Sequence, residues 1–140
     1  MRYNINQEAA DIAYHQQEFE KFLNHATIFI TNTKMKFEEK GIKDIIQTDN
    51  SIEFKYWGLN FITKASLSFN KDKGRFIQGD LSTFLKIEDD LELIVSYKFD
   101  SIGNIEDGFT ASNFALYYFV DFTKNLIKYS IEKDFKFQLN

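Results

Sequence analysis

The chain has 140 residues, a net charge of −4 and a pI near 5.2; it is 44 % apolar and 17 % aromatic, with 16 Phe and neither Cys nor Pro. That length holds a core of its own, and so much ring surface excludes intrinsic disorder. The missing thiols exclude disulfides, thiolate nucleophiles and zinc–thiolate sites, and no apolar run nears the roughly 18 residues of a membrane span.

The first long signal is helical. Ile12, Gln16, Phe19, Leu23, Ala26, Ile30, Thr33 and Phe37 recur at alternating spacings of four and three, widened by Ala9, Ala13, Phe22 and Phe29. Asn6 serves as the expected N-cap, Lys36 and Lys40 give a basic last turn, and Gly41 is the expected C′ residue. A single helix from about residue 7 to 40 spans about 50 Å, long for so small a chain. The β-branched stretch ATIFITNT marks the place where it would kink or split in two.

Turn chemistry at Gln47-Thr48-Asp49-Asn50-Ser51 leads into strands. The first runs over about 52–57 and the second over about 60–69, with their alternation out of phase across Trp57-Gly58. A tight turn there is expected in preference to a bulge, because Gly followed closely by Asn suits a hairpin. Asn70-Lys71-Asp72-Lys73-Gly74 reads as a hairpin loop, with Gly74 taking the positive φ. The third strand, about 75–87, carries Gly79 as an expected bulge or bend. Glu88-Asp89-Asp90 then turns the chain into a strand in which Leu91, Leu93, Val95, Tyr97 and Phe99 share one face.

After an irregular stretch from Asp100 to Gly108, Thr110 or Ser112 is the expected cap of a second helix. Ala115, Phe119, Phe122, Leu126 and Tyr129 form its main stripe, with Leu116, Tyr118, Val120, Ile127 and Ile131 crowding beside it. A helix this apolar is buried on two sides, or buried on one and used for assembly on the other. The tail from Asp134 alternates and is expected to add an edge strand. Short connections require antiparallel neighbours. The expected fold is therefore α+β over residues 1–140 as one domain: a long first helix, a four-stranded antiparallel meander, and a C-terminal helix on the same sheet face.

No chemistry stands out. The six Gly never form a phosphate-binding loop, and neither His has a Ser partner at a recognisable spacing. Asp11, His15 and Glu18 share one helix face, but a solvated face explains them better than a metal does, and no metal or cofactor is expected. Asp89-Asp90 and Glu106-Asp107 fall in turns, where carboxylates stay solvated and untuned for acid–base work.

Lys residues are scattered and offset by acid, so nucleic acid is not an expected partner, and neither is a membrane. The first eight residues lack an apolar h-region, so no signal peptide is expected and the expected setting is the cytoplasm. A Lys-, Asn-, Ile- and Phe-rich vocabulary suggests a bacterial or phage source.

Together these features lead to the expectation of a non-catalytic protein-binding module of the inhibitor or immunity type, masking a partner with a basic surface. Its expected contact residues are Tyr56, Trp57, Asp89, Asp90, Glu92, Glu106 and Asp107, with Trp57 foremost. Two alternatives stand beside it. One is an acidic homodimeric chaperone for a secreted protein, using the second helix as its seam. The other is a ligand-binding or enzymatic domain with a Phe-lined pocket between sheet and first helix.

Overall fold

The computed structural model describes residues 4–70, 76–110 and 113–137. Helix α1 (Ile5–Glu39) is a single 35-residue helix, so the β-branched stretch neither kinks nor splits it. Its cap is Asn4 rather than Asn6: the Asn4 side chain accepts a hydrogen bond from the Gln7 backbone N–H at 3.1 Å. At the other end Gly41 takes φ 93°, and the Gly41 and Ile42 N–H groups donate to the carbonyls of Glu38 and Phe37. That is a Schellman closure, with Ile42 buried behind it.

One seven-stranded antiparallel sheet follows, its strands in sequence order. Four long strands carry it: β2 (Ser51–Tyr56), β3 (Leu59–Asn70), β4 (Phe76–Ile87) and β5 (Asp90–Phe99). The two-residue strands β1 (Ile46–Gln47), β6 (Asn104–Ile105) and β7 (Phe109–Thr110) extend its two edges. The four-stranded expectation misses them because two residues are too short to show a period. Helix α2 (Ala115–Glu132) starts after Phe114 with no side-chain cap, so Thr110 is not its cap, and Ser112 lies outside the described residues. The expected loop over 70–74 falls almost wholly outside them too. No edge strand forms over 134–137; Phe135 and Phe137 fold back there onto Tyr129 and Trp57.

Both helices pack on one face of the sheet, the face carrying Ile52, Phe54, Phe61, Thr63, Leu81, Thr83, Leu85, Val95, Tyr97 and Phe99. The two helices run side by side in the same direction. Phe29 of α1 meets Phe114 and Tyr118, and Phe37 meets Phe119 and Phe122. Phe122 also touches Phe54, Tyr56 and Phe61, so one ring joins α1, α2, β2 and β3.

Two departures from simple alternation matter later. At β4–β5 the register shifts between Thr83 and Phe84, so Thr83 faces Val95 while Phe84 faces Leu93. Ile94 is the extra residue of a bulge, and every position before it changes sides. Leu91 and Leu93 therefore leave the core for the outer face, where Leu93 is 55 % exposed beside Phe84, and Glu92 turns to the helix side opposite Leu85. Gly79, by contrast, is not the bulge. It pairs regularly with Leu67 and Phe99, and the Phe99 ring occupies the place where a Cβ would stand.

A polar seam crosses the core. Thr63 and Thr83 share a hydrogen bond of 2.7 Å, and Thr83 also bonds the Tyr118 hydroxyl. Tyr97 donates to Asp121, which ties β5 to α2. Burial first, and then the bond to Asp121, push the Tyr97 phenol well above its ordinary value; burial also raises Tyr118. A folded-state pKa above the unfolded value of 10.0 means that folding favours the protonated phenol. That stabilisation is complete below pH 10 and is lost as pH rises beyond it. The urea midpoint should therefore hold steady up to about pH 9.5 and fall above pH 10, and Tyr97→Phe should flatten the fall.

Candidate functional site

The meander brings two turns to one end of the sheet. Trp57 and Gly58 form the two-residue loop between paired Tyr56 and Leu59, with φ 52° and 79°. Positive φ at both loop positions makes this a type I′ hairpin turn, the kind that follows strand twist. Gly takes that conformation without strain, but Trp does not: a bulky residue there is an outlier costing of the order of 1–3 kcal/mol. The ring recovers contact by stacking on Tyr56 at 4.7 Å and 19°, and by meeting the edge of Phe137 at 5.5 Å. It is still 44 % exposed.

Beside it, Glu88 and Asp89 make the β4–β5 loop, with Glu88 at φ 55° and Ile87 paired to Asp90. The end of α1 completes the surface. A cleft of about 390 Å³ next to Trp57 is lined by Lys40, Lys43, Asp44, Lys55 and Tyr56. A larger one of about 730 Å³ continues from it over the outer face, past Glu53, Asn60, Lys86 and Glu88. Lys86 and Glu53 are paired across it at 2.7 Å.

Of the residues singled out in the sequence, Tyr56, Trp57, Asp89 and Asp90 share this end. Glu92 is near, on the helix side, where burial first and then its carboxylate push the Tyr129 phenol up. Glu106 and Asp107 do not belong here. The Lys98 backbone N–H donates to Glu106 at 3.1 Å, eight residues along β5 from Asp90, or about 26 Å at ~3.3 Å per residue. Asp107 sits at φ 68° in the adjoining 3₁₀ turn. What the sequence reading missed is the lysine group: Lys40, Lys43 and Lys55 are scattered in sequence, and only the C-cap of α1 and the edge of β2 bring them together.

Elsewhere, Asp11 accepts from Gln7 and Glu18 pairs with Lys21. Among the described residues no group of three or more His, Asp or Glu is placed to hold a metal, and no helix is long and apolar enough to cross a membrane. The space between α1 and the sheet is filled by Phe29, Phe37, Phe54, Phe61, Tyr118 and Phe122, with ring centroids as close as 5.0 Å. Comparison with protein families, characterised proteins and solved structures finds no match for this chain.

Trp57 is the sole Trp in the chain, so its fluorescence reports this surface alone. Lys40, Lys43 and Lys55 offset Asp44 and the carboxylates of the β4–β5 turn here, so Lys43→Glu together with Lys55→Glu should lower quenching by anionic iodide and raise quenching by cationic caesium, each relative to the parent at equal ionic strength. Phe137→Ala should raise quenching by both ions.

Proposed function

We propose that this chain is a non-catalytic protein-binding module of the kind that masks or inhibits a partner protein, and that it binds through the sheet end built around Trp57. The observation carrying this reading is the Trp57 geometry: a bulky ring held at positive φ, gripped by Tyr56 and Phe137, and left nearly half exposed. Backbone strain of this sort concentrates where a side chain must be presented. A ring already fixed in place loses little entropy on binding, which is what a hot-spot anchor requires.

Charge refines the partner. Glu88, Asp89 and Asp90 make up the β4–β5 turn, and Lys40, Lys43 and Lys55, with Asp44 among them, line the cleft next to Trp57. The partner's basic surface faces the β4–β5 turn, while carboxylates of the partner meet the lysine cleft. Such a two-signed surface sets orientation and association rate more than raw affinity. A cytoplasmic setting and a bacterial or phage source belong to the same proposal.

Trp57→Asn separates folding from binding. Asn is at home in a type I′ turn, and the strain it relieves is close in size to the roughly 0.5–1.5 kcal/mol of ring contact it removes. Stability should stay within about 1 kcal/mol of the parent. The partner captured by the parent chain from its source lysate should be lost by the variant. A partner held equally by both would contradict the reading.

A further inference from the structure

Two apolar helix faces remain uncovered, and their chemistry is complementary. Residues 5–17 of α1 are exposed on every side apart from His15, so the first turns of the helix project as an arm. The stripe that α1 buries through Ala26, Ile30 and Phe37 continues onto this arm as Ile5, Ile12, Phe19 and Leu23, all exposed, with Ile12 at 66 %. A T-shaped ring contact between His15 and Phe69 of β3, at 5.6 Å, ties this arm to the sheet and leaves the arm's apolar stripe uncovered. On α2, Ala115, Tyr118, Phe122 and Leu126 face the core. The opposite side carries a second stripe, Leu116, Val120, Ile127 and Ile131, at i, i+4, i+11 and i+15. Ile131 is 76 % exposed.

The arm is acidic and the α2 stripe is basic. Glu8 and Glu20 border the arm stripe, while Lys124 and Lys128 run along that of α2. None of these four takes part in the ion pairs among the described residues. The stripes also match in length, about 27 Å and 22 Å at ~1.5 Å per residue.

We propose that a second copy of this chain covers both faces. The α1 arm of each protomer lies on the outer stripe of the other protomer's α2, in a two-fold exchange. A reciprocal contact of this kind is self-complementary and closes at two subunits. Pairing arm to arm would instead bring the Glu8 and Glu20 carboxylates of both copies together. The exchange leaves the Trp57 surface free and is independent of the function proposed for it.

Sedimentation equilibrium of the full chain tests this, with circular dichroism as a control for folding. The parent should have twice the monomer mass, and Ile12→Asp and Ile127→Asp should each weaken the dimer by about tenfold or more. Both side chains are exposed, so folding should persist. Reversing Lys124 and Lys128 to Glu should weaken it too, and adding Glu8→Lys and Glu20→Lys should restore it. A parent that stays monomeric at high micromolar concentration overturns the proposal. So does a dimer that loses association with Ile12→Asp yet ignores the lysine reversal, since its arms then pair with each other.

Discussion

The fold depends on one ring. Phe122, fully buried on α2, packs against Phe37 of α1, Phe54 and Tyr56 of β2, and Phe61 of β3. Polar links between the helices and the sheet are fewer than the ring contacts among the described residues: Tyr97 to Asp121, Tyr118 to Thr83, Tyr56 to Thr123 at 3.3 Å, and at the β1 edge Gln47 to Thr31 at 3.1 Å with Thr27 to the Asp49 carbonyl beside it. Aromatic packing provides both the area and the geometry. The chain has 16 Phe, and this layer explains much of why.

That layer also decides what is left over. It is centred on the C-terminal half of α1 and the inner face of α2; on the α1 arm it goes no further than the His15–Phe69 contact, and it leaves the outer α2 stripe bare. At the sheet end it grips Tyr56, whose ring then supports Trp57. The two surfaces proposed for recognition and for self-association are thus both set by where the ring packing stops. One takes the C-terminal end of α1 and the other its N-terminal arm, so they can operate separately.

Some of this was legible in the sequence. Gly41 announces the end of α1, and the phase change across Trp57-Gly58 announces a hairpin, because both are local backbone requirements written in residue type. The stripe over Ala26, Ile30 and Phe37 likewise follows from period. Other features depend on tertiary context. Nothing in Leu91-Glu92-Leu93-Ile94-Val95 marks the bulge, so the strand with the cleanest alternation is the one whose first half faces the wrong way. The arm stripe reads as core because periodicity tells which residues share a face, and is silent on whether anything covers it. The lysine cleft was hidden for the same reason: the fold alone brings its members together.

Amide hydrogen exchange along α1, followed over a range of protein concentration, tests most directly the claim that ring packing ends partway along the helix and a second copy covers the rest. Residues 22–37 should be strongly protected at every concentration, whereas residues 5–17 should gain protection only as the chain associates. An arm protected as strongly as the rest of the helix in the dilute monomer would contradict the account, and so would an arm that stays unprotected at any concentration.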